Sequence, residues 1–425
     1  MVDQSQRAVV VSGLGLVCSI GHDRDDQVAR MRAMRHGFAR TGFPSAGLSP
    51  ITVAAPVPGF DVAAIDPAEW TWPNRYPIDP AELRSLPPHG LYALAAVHDA
   101  LAEAGLTDAP LDDGRTGLFC ASAGSPRVLH HYLGQAIGSQ WRRAHPLGVV
   151  RTVAGTLNFN LAARFGITGS VCGFASACAS GAHALGHAMD EILLGRQDRV
   201  LVVAGEEFSA ESLLPFAGMQ ALSLVDDPDH ACRPFDRNRD GFAGTGGAAA
   251  VLLEEAGIAR ARGRRPLARL LAWAQAADGH HVAMPEPEGD GLRRAMDLAL
   301  AAAGLTPDQI DAVSAHATST PAGDRAEAIA LRRVFTERGL APAITAFKSL
   351  VGHGLSFAGA METAMAVLCL RHGFLPGIAG LRDPDPICAG LDLVRTTRDC
   401  HTRILLKNTS GFGGSNVCLL LAQPE

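Results

Sequence analysis

An α/β protein made of two similar layered halves is what this sequence predicts, on three observations. Apolar runs of strand length alternate with helix-spaced apolar patterns along the whole chain. Two glycine-rich turns, one containing Gly246-Gly247 and one containing Gly413-Gly414, each feed an apolar run, Ala248 to Leu253 and Val417 to Leu421. Two helical patterns share one spacing: Leu185, Ala188, Met189, Ile192 and Leu193 in the first, Met361, Ala364, Met365, Leu368 and Cys369 in the second. The second ends at Arg371-His372-Gly373, as the first ends at Gly195-Arg196.

Taken in order, Arg7 to Gly15 predicts a buried strand ending in a glycine turn. Gly47 to Leu86, rich in Pro and Trp, predicts a surface excursion with some compact packing. Leu91 to Ala104 predicts a helix closed by Gly105. Thr116 to Cys120 and Arg199 to Ala204 are short and wholly apolar at their centres, the pattern of strands in a sheet covered on both faces. The charged, glycine-containing stretch Glu254 to Arg265 places the boundary between the halves, giving residues 1–255 and 256–425.

Composition narrows the class. A chain of 425 residues buries a large core, and 47% of it is apolar, yet no apolar run reaches the length of a membrane span. Met1 to Gln6 lacks the apolar centre of a secretion signal, so a soluble cytoplasmic protein without a membrane partner is expected. The 9 cysteines form no CxxC pair, which argues against a zinc site and against a disulfide framework. A net charge of −6 without a dense basic run argues against nucleic acid as a partner.

Four clusters carry chemistry. Cys178 stands among small residues, Ala175-Ser176-Ala177-Cys178-Ala179-Ser180-Gly181, where a strand-like stretch passes into a helix. Amide N–H groups and the dipole at a helix start stabilise a thiolate, so Cys178 is a candidate nucleophile. His316 sits at the end of the run Val313-Ser314-Ala315, beside Thr318, Ser319 and Thr320. Lys348 and His353 lie just before the second helix, whose start is expected near His353. The turn Gly411-Phe412-Gly413-Gly414 offers a backbone N–H that a ligand can approach closely. A cysteine, two histidines and a glycine turn at related places in a duplicated plan fit the nucleophile-plus-base logic of cysteine enzymes.

At these residues the chain resembles the β-ketoacyl-acyl carrier protein synthases, condensing enzymes of the thiolase superfamily. The resemblance spans nearly the whole chain. It rests on Val10-Val11-Ser12-Gly13-Leu14-Gly15, the Cys178 motif, Arg239-Asp240-Gly241-Phe242, His316 to Pro321, Lys348 to His353 and Gly411 to Gly414. It is nearest synthase I, since Gly244-Thr245-Gly246-Gly247 lacks the Gly-Glu-Gly of synthase II, and Gly124 to Arg127 and Gly205-Glu206-Glu207 agree. The resemblance implies a thiolase-like fold, with duplicated βαβαβαββ halves in a layered α-β-α-β-α architecture. It implies a decarboxylative Claisen condensation of an acyl thioester with malonyl-acyl carrier protein, in fatty acid or related chain elongation. No cofactor is implied; substrates ride on the phosphopantetheine of an acyl carrier protein.

The roles it implies are these. Cys178 carries the acyl chain, and the N–H groups of Cys178 and Phe412 hold the oxyanion. His316 and His353 bind the malonyl thioester carbonyl, and Lys348 pairs with Glu362. Thr318 and Thr320 contact the pantetheine arm, while Asp324 and Glu327 lie beneath that loop. Phe242 and Phe412 border and gate the acyl pocket. Arg142, Arg143 and Arg151 are candidates for docking the acidic carrier protein.

Four residues depart from the family pattern: Ala317 for Gly, Gly354 for Ser, Phe357 for Ala and Ser410 for Phe. Phe357 and Ser410 are therefore expected to bind substrate and to alter the preferred acyl chain, which suits a specialised polyene or polyketide pathway. The family dimerises through the strand before the nucleophile, here Ser170 to Phe174, giving a homodimer or a heterodimer with a related ketosynthase-like subunit. Cys178 itself argues against a non-catalytic chain-length factor. A degradative thiolase needs a second cysteine where this chain has Gly411-Phe412-Gly413.

Overall fold

A computed structural model describes residues 7–41, 51–107 and 109–424. Met1 to Gln6 and the Gly47-Leu48-Ser49-Pro50 start of the Pro/Trp-rich excursion lie outside the described residues. The main sheet has 11 strands. In chain order they are β1 (Val9–Val17), β2 (Thr116–Ala121), β3 (Val171–Phe174), β4 (Arg199–Glu206), β5 (Gly247–Glu255) and β6 (Ala268–Ala277). Then come β7 (Ala312–Ser314), β8 (Ala343–Thr345), β9 (Asp392–Leu393), β10 (Ile404–Gly411) and β11 (Ser415–Ala422). The helices used below are α1 (Pro88–Ala104), α2 (Pro126–Gly138), α3 (Thr156–Phe165), α4 (Ser180–Leu193), α5 (Ala210–Gly218), α6 (Asp290–Ala303), α7 (Pro321–Val334) and α8 (Ala358–His372).

The sheet order is β9-β8-β7-β10-β11-β6-β1-β5-β4-β2-β3. It divides into two runs of one plan. In one, β2 pairs in parallel with β3 and β4, then β4 with β5 and β5 with β1 are antiparallel. In the other, β7 pairs in parallel with β8 and β10, then β10 with β11 and β11 with β6 are antiparallel. The runs meet only where Val9–Val11 pairs with Ala268–Leu270.

The burial pattern explains the uniformly apolar strands. Val200, Val202 and Ala204 of β4 and Val417, Leu419 and Leu421 of β11 face one core that encloses α4 and α8. The alternate residues Leu201 and Val203 face a core with α1 and α3. Cys418 and Leu420 face a third core with α6 and α7. Both faces of each run are therefore covered, and the layers read α-β-α-β-α. Trp70, Tyr76 and Leu83 of the Pro/Trp-rich excursion join the α1 core, so that segment packs compactly.

Two expectations change. Gly13 and Gly15 lie inside β1, not in a turn after it. A Cβ on Gly13 would sit 2.2 Å from the Ala100 carbonyl oxygen, and one on Gly15 would sit 1.8 Å from that of Ala96. The glycines let α1 lie directly on the strand. Helix α8 starts at Ala358, not near His353, because a 3-10 turn, Leu355–Phe357, intervenes. Gly105 and Gly373 close α1 and α8 in the left-handed conformation, with φ of 65° and 67°. Among the described residues no helix is long and apolar enough to cross a membrane.

Candidate active site

Helices α4 and α8 cross where each has a glycine. A Cβ on Gly181 would lie 3.0 Å from the Ala360 nitrogen, and one on Gly359 would lie 2.5 Å from that of Ala182. This crossing fixes the start of α4, and two residues before that start stands Cys178. Ala177 takes a φ of 49°, a conformation rare outside glycine, and so turns the chain sharply at the cysteine. Ser180 Oγ braces the turn, accepting from the Ser176 amide at 2.8 Å and donating to the Ala177 carbonyl at 2.6 Å.

The end of β10 presses against this elbow. A Cβ on Gly411 would sit 2.7 Å from the Ser176 oxygen and 3.2 Å from the Cys178 nitrogen, so only glycine fits without a backbone shift. The Phe412 turn is thereby held beside the cysteine.

Sγ of Cys178 lies 3.1 Å from His353 Nε2. The His316 and His353 rings stand 5.6 Å apart at 84°. Phe242 meets His353 edge-on at 4.9 Å. His353 is held by its amide, which donates to the Ala243 carbonyl at 2.8 Å, while its Nδ1 is buried without a partner. His316 is held from behind: Glu327 accepts from the amides of His316 and Ala317 at 2.9 and 2.6 Å.

Lys348 Nζ donates to His316 Nδ1 at 3.1 Å, to the His316 carbonyl at 2.5 Å and to Glu362. An ammonium has three N–H bonds, and all are used. His316 Nδ1 must then be an acceptor, which puts the ring proton on Nε2.

The electrostatics follow from burial. Loss of solvent holds His316 and His353 well below the usual histidine range, and the Lys348 charge pushes both the same way. Both imidazoles are neutral at physiological pH. Burial also pushes the Cys178 thiol up to about 12, outweighing the nearby Lys348 charge. The expected thiolate at the helix start is therefore not the resting state. Asp324, pushed up to about 7 by burial, accepts from the amides of Ser319 and Phe235 at 3.0 and 2.8 Å and shapes the loop after His316.

Cys178, His316 and His353 open onto a cavity of about 360 Å³. Thr318, Thr320, Phe242, Ser410 and Phe412 line it too. The Thr318 and Thr320 hydroxyls are 3.0 Å apart, and Ser410 Oγ donates to Asn416 Oδ1 at 2.7 Å. Phe216, Met219 and Met284 add an apolar wall that no local sequence signal marked.

Two predicted residues fall elsewhere. Phe357 is fully buried in the core around α4 and α8 and does not line this cavity. Its ring occupies the space beside Gly354, where a Cβ would lie 2.2 Å from Phe357 Cε1. The departures at 354 and 357 are thus one packing exchange, a side chain lost to make room for a ring. Arg151 is 2% exposed: it donates to the Leu86 and Ile65 carbonyls at 3.0 and 3.1 Å and lies near the faces of Trp70 and Tyr132. It is not available for docking, whereas Arg142 and Arg143 are exposed just beyond α2.

A buried charge was missed as well. Lys407 reaches Glu362 from β10, and with Lys348 it makes up the chain's entire complement of lysine. A charge inside the apolar run Ile404-Leu405-Leu406-Lys407 was the available signal.

Known proteins share this arrangement of chain. Family models of the beta-ketoacyl synthase N-terminal and C-terminal domains match residues 6–259 and 267–382. The chain is 34% identical over 423 residues to 3-oxoacyl-[acyl-carrier-protein] synthase 1 of Escherichia coli K12, covering 98% of each. It is similar to a solved beta-ketoacyl synthase from Burkholderia phymatum, with a TM-score of 0.88 and 32% identity over 98% of this chain and 100% of that one. It is similar also to the ishigamide ketosynthase/chain length factor, with a TM-score of 0.87 and 30% identity over 99% of this chain and 100% of that one.

Proposed function

The chain belongs to the beta-ketoacyl synthase family, and from that premise we propose that it is a 3-oxoacyl-acyl carrier protein synthase working through Cys178, His316 and His353. The observation that carries the assignment is the 3.1 Å approach of Cys178 Sγ to His353 Nε2, with His316 alongside, at one cavity.

The steps follow from the protonation states. The buried thiol loses its proton to His353 Nε2 as sulfur attacks the acyl thioester, and that proton leaves on the pantetheine thiol. The oxyanion is held by the N–H groups of Cys178 and Phe412, which the absence of a side chain at Gly411 brings together. A malonyl thioester then enters, with Thr318 and Thr320 along its pantetheine arm. Its carbonyl oxygen accepts from the Nε2–H of His316 and from that of His353, whose ring proton moves from the unpartnered Nδ1 to Nε2 once the thiol is acylated, and carbon dioxide departs to leave an enolate. The enolate carbon attacks the acyl carbonyl, the C–S bond breaks, and the Cys178 thiolate takes the Nε2 proton of His353 while the ring gains one from solvent at Nδ1. Neutral imidazoles suit this task, since they donate hydrogen bonds without surrendering a full proton. Lys348 and Glu362 keep His316 in the donating form, and Phe242 and Phe412 border the site.

The residue assignment divides the work between 1–255, with the nucleophile, and 256–425, with both histidines. The carrier protein docks at the exposed guanidinium groups of Arg142 and Arg143. Mass spectrometry of wild type and Cys178→Ala after incubation with acyl carrier proteins of varied chain tests the assignment. Acylation confined to wild type, at Cys178, is expected; acylation elsewhere overturns it.

A second reading within the family is a specialised polyketide or polyene ketosynthase paired with a chain-length-factor subunit. Two observations favour it: the ishigamide ketosynthase/chain length factor is a close structural relative, and Ser410, a smaller side chain than the Phe usual in the family, lines the cavity. β3 is an exposed sheet edge suited to pairing with such a subunit or a second copy. In the same carrier panel this reading expects preference for unsaturated or polyketide chains, and equal use of ordinary saturated chains rejects it.

A further inference from the structure

Lys348 is not the only cation in the buried site. Lys407 enters from the centre of β10 with no solvent exposure, and its Nζ lies 2.5 Å from Glu362 Oε2. Its other two N–H bonds go to the Asn408 carbonyl and Thr409 Oγ1, each at 2.6 Å. Glu362 is equally buried, and it is gripped through Oε1 by Lys348 and through Oε2 by Lys407. Lys348 in turn holds His316 Nδ1. The chain of contacts therefore runs from β10, through a carboxylate on α8, to the imidazole facing the cavity.

A buried carboxylate with one oxygen unpaired is costly, and it relieves the cost by turning toward another donor. The turn takes Oε1 away from Lys348 Nζ or draws the amine after it. Either way a Lys348 N–H no longer points at His316 Nδ1, which can then carry the ring proton, leaving Nε2 without the N–H that faces the substrate.

We propose that Lys407 is a positioning residue for the condensation step: by pinning Glu362 it keeps Lys348 donating to Nδ1 and so fixes His316 as the Nε2–H tautomer. His353, whose Nδ1 has no partner, lies outside this lock. The two histidines are thus prepared differently, one locked as a donor and one free to take and return the thiol proton. This inference rests on the ketosynthase reading, and its test separates the two.

Lys407→Met is compared with wild type in two assays: acyl loading at Cys178 by mass spectrometry, and carbon dioxide release from malonyl carrier protein during condensation. Loading is expected to change by less than about threefold, while condensation kcat falls on the order of 10²-fold with little change in KM. Nitrogen-15 NMR of histidine-labelled protein, with His316 assigned by the signal lost in His316→Ala, should show the Nε2–H tautomer in wild type and its loss in Lys407→Met. Wild type that loads and condenses beside a Lys407→Met of equal condensation rate removes the role of Lys407 alone; wild type that does neither removes the underlying reading as well. If Lys407→Met fails to fold, the wild-type tautomer decides, and an Nδ1–H signal for His316 overturns the proposal.

Discussion

The start of α4 and the start of α8 are one backbone device used twice. Ala177 and Leu355 both take a positive φ, 49° and 50°, immediately before Cys178 and Ser356. Three residues after each comes the crossing glycine, Gly181 or Gly359. What differs is the strand end that faces each elbow. Opposite Cys178 the strand ends in Gly411, which gives the sulfur no acceptor and the backbone no room. Opposite Ser356 the equivalent strand ends in Glu206, which accepts from the Ser356 hydroxyl and from the Ala123 amide at 3.0 Å. One elbow is left reactive and the other is tied down. The comparison teaches that the turn alone does not make a nucleophile; what faces it does, the His353 imidazole at one elbow and the Glu206 carboxyl at the other.

The comparison breaks most sharply in the double variant Cys178→Ala/Ser356→Cys. It moves the thiol to the second elbow, and no acyl adduct at position 356 is expected by mass spectrometry; an adduct there would mean that the turn suffices. A smaller effect is expected from Gly411→Ala, whose methyl must displace the Ser176 carbonyl. Acyl loading should drop about 10²-fold as the oxyanion donors move apart, and a wild-type rate would reject the close approach as functional.

The smallest effect concerns the tied elbow. Burial pushes Glu206 up to about 7, from an ordinary 4.5. Between those values the folded chain keeps a proton that the unfolded chain has lost, so stability falls as pH rises through that window. Glu206→Gln removes this dependence. Relative to the variant, wild type should lose a few kcal/mol between pH 5 and pH 8 in urea unfolding; a constant difference would show that Glu206 does not change protonation there.

Much of this site was legible because its residues sit in short motifs at element ends. Cys178, His316 and His353 meet as expected, and Gly105 and Gly373 close their helices where the sequence places them. Other features share a sequence signature with something else. Gly13 and Gly15 look like a turn, since a glycine needed for close packing and one needed for bending are the same letter. Phe357 follows His353 closely, but proximity along the chain does not say which side of a 3-10 turn faces the cavity. Arg151 suggests surface by its charge, while carbonyls and rings satisfy it inside. The link from Lys407 to Glu362 joins distant segments, and only the folded sheet brings them together.

The two lysines have a practical consequence. With Lys348 and Lys407 both fully buried, the folded surface carries no lysine amine at all. Every basic side chain it offers to an acidic partner is arginine or histidine, and arginine binds carboxylates and phosphates by fork geometry more than as a point charge. Amine-reactive reagents would find neither lysine until the core opens, so modification of Lys348 or Lys407 becomes a chemical clock for the opening of the catalytic centre itself.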